Sequence, residues 1–173
     1  MVAHDSAEPT KRGGPGVERW IDYLDWVRQD LVDRVLALDE RDRRTARVPT
    51  GWAPIEMLSH GYHLERRWFL WGFLAEPVDE PWGDWDVDDP IVGEGRWHVP
   101  SDVTAEDLAA RLTALGERTR EILRTHPLDT AGRAGGRFSV DPPTLEWICF
   151  HVMAEYTRHL GHLDVAIELA QDA

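Results

Sequence analysis

Residues 151–162, near the carboxyl end of the chain, have the sequence HVMAEYTRHLGH. Each residue of an α-helix turns the side-chain direction by about 100° around the axis. When the direction of His151 is set to zero, Glu155 lies near about 40°. On the same count His159 and His162 lie near about 80° and about 20°, so all four polar side chains share one arc. Titratable groups are rarely buried without partners, because removing them from water is costly. An inward-facing arc of this kind therefore needs a compensating group.

The expected neighbours of this arc are apolar, which predicts that the arc faces the protein interior. These neighbours are Trp147, Ile148, Val165, Ala166 and Leu169.

Helical periodicity recurs in the rest of the chain and predicts an all-α protein, a four-helix bundle. Apolar residues at helical spacing predict a first helix over 17–38 and a second over 54–74. The segment SDVTAEDL supplies a Ser or Thr cap for a third helix that ends near Arg124. The fourth helix begins near Pro143 or Thr144 and continues to the carboxyl end.

Residues 76–95, here called the acidic connection, join the second and third predicted helices. They hold eight acidic residues, three prolines and no basic residue, which excludes a helix and disfavours a strand. We expect a long, solvated crossover loop. A calcium site is disfavoured, because the spacing of the acids does not match an EF-hand loop.

Length and charge restrict the class of protein. The 173 residues, 42% of them hydrophobic, fit a single domain over 17–173 after a disordered leader over 1–16. The net charge of −13 argues against nucleic acid and anionic membranes as partners. A small-molecule substrate is expected, and a homodimer is compatible with the sequence. One cysteine and no apolar run long enough to cross a bilayer favour a cytoplasmic location.

His60 on the second helix is expected to look into the same interior as the arc of residues 151–162. His63 lies at the edge of the same face. The other residues predicted on that face are apolar: Met57, Leu64, Trp68 and Trp71. His60, Glu155 and His159 would give a nitrogen, oxygen, nitrogen donor set, which is typical of catalytic zinc. Nickel, iron and manganese accept the same donors. Spacing alone leaves open whether Glu155 or His151 is the ligand.

Three segments resemble the DinB/YfiT-like metal-binding four-helix bundles, and in particular their actinobacterial branch related to mycothiol-dependent maleylpyruvate isomerase-type enzymes. They are VPTGWAPIEMLSHGYHLERRWF (48–69), the acidic Trp-bearing crossover and LEWICFHVMAEYTRHLGHLDVAIEL (145–169). The resemblance implies a metal held by His60, Glu155 and His159, with His151 beside the ligands. It also implies transfer or isomerisation with a low-molecular-weight thiol such as mycothiol.

The remaining polar residues of the fourth helix are assigned supporting roles. His162 and His151 could orient the ligands or move a proton. Arg158 could pair with a cosubstrate carboxylate, although an Arg extended into solvent is an equal alternative. Cys149 lies near about 160° on the wheel, away from the ligands, so the nucleophilic thiol would arrive as a cosubstrate.

Three further functions stay open at this point. A metal-dependent hydrolase would use metal-activated water in place of the thiol. A non-enzymatic metal-binding protein of the stress response would close its metal site with four protein ligands. A dimerising helical bundle with a polar interior would need no metal.

Overall fold

The computed structural model describes residues 8, 9, 14, 16–86 and 96–171. Most of the predicted leader and the middle of the predicted crossover, residues 87–95, lie outside the described residues. The described chain is mostly helical, as predicted. The helices are α1 (Val17–Leu36), α2 (Glu40–Arg43), α3 (Pro54–Glu65), α4 (Ala105–Thr125) and α5 (Leu145–Gln171), with a π-helical segment at Arg66–Phe73.

The helix starts follow from local capping. Pro54 opens α3, where its missing N–H needs no acceptor, and the Glu56 side chain accepts a hydrogen bond from the backbone N of Ala53 (2.8 Å). The Thr104 side chain accepts from the backbone N of Asp107 (3.1 Å), which confirms the cap predicted for this helix. The short helix α2 was not predicted. Its cap is Asp39, whose side chain accepts from the backbone N of Asp42 (2.8 Å).

The second predicted helix changes from α to π geometry after Glu65. In a π-helix each N–H bonds one residue further back than in an α-helix, which shifts the side chains that follow around the axis. The carbonyls of this segment also serve another part of the chain. The backbone N of Arg133 donates to the carbonyl of Phe73 (2.7 Å), and the backbone N of Arg137 donates to that of Trp71 (3.1 Å).

A small antiparallel sheet joins a strand within the acidic connection to a strand that directly follows it. It pairs β1 (Trp85–Asp86) with β2 (Arg96–Trp97), so that Trp85 lies opposite Trp97. The expectation that a strand is disfavoured over residues 76–95 is wrong at Trp85–Asp86, where aromatic side chains favour an extended ribbon. The expectation of a solvated loop also fails for Asp84, which is buried.

Helices α1, α3, α4 and α5 pack against one another around the core, and α3 contacts each of the other three. On the second predicted helix Met57, Leu64 and Trp68 are buried, as its predicted face requires, whereas Trp71 is partly exposed. Within the described residues, no helix combines the length and the apolar character needed to cross a bilayer.

The inward face of α5 differs from the predicted one. Trp147, Val165 and Leu169 were expected inside, but their exposed fractions are 50%, 51% and 42%. The buried face is centred near about 120° on the wheel that sets His151 to zero. It consists of Leu145, Ile148, Cys149, Val152, Tyr156, Leu160, Leu163, Ala166 and Ile167. The polar arc therefore lies at the edge of the core and not at its centre.

Candidate metal centre

The predicted ligand residues His60, Glu155 and His159 lie together between α3 and α5. One donor atom from each lies within 4.8 Å of the others. Their side chains are 13%, 22% and 12% exposed, respectively, so the group is accessible but well shielded. Within the part of the chain that the structure describes, no fourth His, Cys, Asp or Glu belongs to this group.

Close contact between α3 and α5 brings these donors together. Gly61, the neighbour of His60, faces this contact: a Cβ atom there would lie 3.4 Å from Cε1 of Tyr156 and 2.9 Å from Cδ2 of Leu31. A larger side chain would meet Leu31 of α1 first, so Gly61 leaves room for α3 to pack against both α1 and α5. On α5 the second and third donors are one helical turn apart and therefore share a face.

Asp84 fixes the orientation of the His60 ring. Its Oδ2 lies 2.8 Å from Nδ1 of His60, and Arg67 donates to Oδ1 and Oδ2 over 2.6 and 3.1 Å. Burial raises the pKa of Asp84, but the hydrogen bonds from His60 and Arg67 outweigh it and hold the pKa at about 2. An ionised carboxylate only accepts, so His60 carries its proton on Nδ1. Its Nε2 is left free as a ligand.

Sequence reasoning missed Asp84. It is one of eight acids in the acidic connection, and nothing local distinguishes it from the others. The available signal was indirect: both the acidic connection and the segment that contains Arg67 belong to the three stretches that carry the family resemblance.

Two ring nitrogens in this group are buried with no hydrogen-bond partner among the described residues. They are Nε2 of His60 and Nδ1 of His159. Burial lowers the pKa of His159 to about 4, so its imidazole is neutral at physiological pH. Neutral imidazoles and a carboxylate suit zinc and related divalent metals. These residues could therefore hold a metal ion.

A cavity of about 460 Å³ opens beside His60. Trp97 stacks on the His60 ring, with centroids 4.3 Å apart, and contacts His159 edge to face at 5.2 Å. The lining residues are His60, Arg67, Trp82, Asp84, Trp85 and Trp97. The cavity therefore combines one candidate ligand, a buried ion pair and aromatic walls, which is typical of a small-molecule site.

His151 lies in an aromatic cluster and does not belong to the donor group. Its ring stacks on Trp147, with centroids 5.3 Å apart and planes inclined by 10°, and contacts Trp68 at 4.1 Å. Burial is the main cause that lowers the pKa of His151, and the positive charges of Arg137 and Arg158 lower it further.

The other two predicted site residues lie at the solvent edge. The His162 ring is exposed, and its centroid lies 6.0 Å from that of His159. Arg158 is exposed as well, and its Nη1 lies 3.9 Å from Oε1 of Glu155. The structure therefore places both residues beside the donor group, on its solvent-exposed side.

Cys149 lies in the core and is fully buried. Burial raises its pKa to about 12, so the thiol stays protonated. It is not part of the donor group.

A second buried polar cluster, the Glu65 network, was not predicted. Nε and Nη2 of Arg28 donate to the Glu65 carboxylate over 2.8 and 3.1 Å. Thr119 and Tyr156 donate their hydroxyl protons to it over 2.7 and 2.6 Å. Each carboxylate oxygen thus accepts two hydrogen bonds. The network links α1, α3, α4 and α5.

Fold and site together define a mostly helical protein with a candidate metal centre beside an aromatic cavity. A family model described as mycothiol-S-transferase matches residues 20–171. Because the match covers most of the chain, the protein belongs to this mycothiol-S-transferase family, which is DinB/YfiT-like. This confirms the resemblance found in the sequence. No curated protein matches the chain.

Proposed function

We propose that this protein is a divalent-metal-dependent S-transferase that joins a small thiol of the mycothiol type to a small electrophile. The main support is the donor group His60, Glu155 and His159, in which two shielded ring nitrogens lack a partner among the described residues. Membership of the mycothiol-S-transferase family points to the thiol. The nitrogen, oxygen, nitrogen donor set favours zinc.

The architecture that goes with this function is part of the proposal. The family resemblance supports a single domain over 17–173, in which α1, α3 with its π-helical extension, α4 and α5 form a four-helix bundle. The location would be the cytoplasm.

A divalent cation held by these side chains would supply Lewis acidity, which favours the thiolate form of a nearby thiol. The chain itself prepares the donors. The Asp84 carboxylate holds the proton of His60 on Nδ1, and Arg67 keeps that carboxylate ionised and in place. Burial keeps His159 neutral. Because no fourth donor belongs to the group among the described residues, the site resembles open catalytic sites more than closed structural ones.

The cosubstrate must supply the reacting sulfur, because Cys149 is protonated and enclosed in the core. We place the small electrophile in the cavity, where Trp82, Trp85 and Trp97 would limit the access of water. His162 is exposed next to His159 and would accept the thiol proton and pass it to solvent. His151 would support the α5 side of the site through its aromatic contacts, and Arg158 would meet a polar group of the cosubstrate.

Elemental analysis and an assay with and without thiol test this proposal. Protein purified without a histidine tag should contain one divalent metal per chain, and His159→Ala should lose it together with turnover. His98→Ala is the matched control, because His98 is exposed and outside the donor group. Turnover of an ester or amide without thiol would instead identify a metal-dependent hydrolase. A metal that stays bound without any turnover would favour the non-enzymatic alternative, and metal-free wild-type protein would contradict the proposal.

A further inference from the structure

Arg137 lies on the connection between α4 and α5, and its backbone position is fixed by the π-helical segment. Its N–H donates to the carbonyl of Trp71 (3.1 Å). The neighbouring Gly136 approaches the same carbonyl so closely that a Cβ atom there would lie only 2.2 Å from the oxygen. Only glycine allows this contact. The Arg137 side chain therefore starts from a rigid point.

The guanidinium of Arg137 is held by aromatic rings and contacts no carboxylate among the described residues. It lies 4.4 Å from the ring centroid of Trp68, 5.3 Å from that of Trp82 and 5.9 Å from that of Phe138. Its Nη1 is buried without a hydrogen-bond partner. Stacking on a ring face fixes the guanidinium plane and leaves the N–H donors at its edge available.

Trp82 connects this cation to the cavity. Its ring lines the cavity with His60, and Arg67 lies over it at 4.6 Å. The two arginines beside Trp82 differ in their partners. Arg67 is neutralised by Asp84, whereas Arg137 has no matching anion in the described part of the chain. Arg137 contacts Trp82 but is not itself one of the residues that line the cavity. In a chain with a net charge of −13, a cation beside a cavity wall with no acidic partner among the described residues is unexpected.

We propose that Arg137 binds a carboxylate carried by the small electrophile, so that the enzyme prefers anionic over neutral electrophiles. This inference rests on the proposed S-transferase function. The planar fork of an arginine matches a carboxylate with two parallel hydrogen bonds. Arg137 is thus a substrate-binding residue that holds the carboxylate beside Trp82, at the edge of the cavity, while the rest of the electrophile extends towards His60.

Calorimetry on metal-free protein tests the binding step without chemistry and without a metal that could itself bind carboxylates. Succinate should bind at low ionic strength, whereas succinamide, of the same shape, should not. Arg137→Gln should weaken succinate binding about tenfold, since hydrogen bonds between charged groups contribute that much, and Arg137→Lys should fall between. The matched control is Arg133→Gln, an exposed arginine of the same connection. Equal binding of the two probes, or full binding by Arg137→Gln, would overturn the inference.

Kinetics with mycothiol and a pair of chloro compounds test the consequence for selectivity. The thiolate sulfur of mycothiol attacks the carbon that carries chlorine in chloroacetate or chloroacetamide. The S–C bond forms, the C–Cl bond breaks, chloride leaves with the electron pair, and the thiol proton goes to solvent.

The ratio of kcat/KM for chloroacetate to that for chloroacetamide should fall about tenfold in Arg137→Gln, with metal content unchanged. A parallel loss with both compounds would show a merely structural role and overturn the inference. If wild-type protein is inactive with both compounds, this result contradicts only the proposed function. Calorimetry would still decide whether Arg137 binds carboxylates.

Discussion

Two polar clusters lie between the helices, and they differ in how completely their hydrogen bonds are made. In the Glu65 network each oxygen of the carboxylate accepts two hydrogen bonds, and the partners come from three other helices. In the donor group two ring nitrogens are shielded without a partner in the described chain. A cluster whose hydrogen bonds are all made stabilises and orients the helices. Shielded ring nitrogens without a hydrogen-bond partner instead indicate a site for a ligand such as a metal ion. The difference therefore separates a structural cluster from a candidate functional one.

The largest effect is expected from Glu65→Ala. The substitution removes the buried carboxylate of Arg28 and leaves its guanidinium with only the partly exposed Asp25 as an acidic partner. Breaking a buried ion pair in this way costs about 3–5 kcal/mol of unfolding free energy. Denaturant unfolding of metal-free protein measures this loss. Glu146→Ala, at an exposed position of α5, is the control and should change stability by less than about 0.5 kcal/mol. Equal stability of the two variants would remove the structural role assigned to the network.

Tyr156→Phe should separate the two clusters although Tyr156 is the neighbour of Glu155. It removes one hydrogen bond to a buried carboxylate (2.6 Å), so unfolding free energy should fall by about 1.5–3 kcal/mol. Metal content should stay at the wild-type level, because the donor atoms are untouched. Unfolding curves and elemental analysis on the same sample check both halves. Loss of metal with unchanged stability would show that the clusters had been assigned the wrong way round.

Unlike Tyr156→Phe, the substitution Asp84→Asn should weaken metal binding. Asparagine keeps the shape but no longer fixes the proton of His60 on Nδ1, and changes of this type weaken metal binding about 10-fold to 100-fold. Competition with a chromogenic chelator gives the affinity. Asp79→Asn, at an exposed position of the same acidic connection, is the matched control. Equal affinity of Asp84→Asn and wild type would exclude an orienting role for this carboxylate.

The smallest effect, confined to alkaline pH, is expected from Cys149. Burial raises its pKa from 9.0 to about 12, so above pH 9 the unfolded state loses the thiol proton while the folded state keeps it. The stability due to this group is therefore fully present below pH 9 and decreases as pH rises towards 12. Unfolding free energy of Cys149→Ala should depend less steeply on pH in this range. Identical slopes would contradict the assignment, and alkylation of the native thiol at pH 8 would show that it is accessible.

The donor group was predictable because helical geometry is local. The spacing of Glu155 and His159 places them one turn apart, and the periodicity around His60 directs that residue inward. The centre of the buried α5 face does not follow from the same spacing, because the polar arc lies at the edge of the buried side and not at its middle. On the wheel that sets His151 to zero, Val152, Tyr156 and Leu163 lie near about 100°, about 140° and about 120°. The buried side is therefore centred about 80° away from the middle of the polar arc.

The partners of the donors were not predictable from local patterns. Asp84, in the acidic connection, bonds to His60 on α3. Glu65 on α3 bonds to Arg28 and Tyr156 on other helices. Such pairings depend on how helices and loops pack, and periodicity within one helix contains no information about them. The change to π geometry was missed for a related reason, since Arg66–Phe73 has an ordinary helical apolar pattern.

The π-helical segment has a consequence for how the chain tolerates insertions and deletions. Its side chains Arg67 and Trp68 face the cavity and the aromatic cluster, while its carbonyls anchor the connection that carries Arg137. Because each π-helical hydrogen bond spans one residue more than an α-helical one, removing a single residue here would be taken up by a return to α geometry. The chain beyond would keep its course, but the side chains and carbonyls within the segment would move relative to the cavity, the aromatic cluster and the anchored connection. One lost codon would thus disturb these three contacts while the rest of the fold is kept.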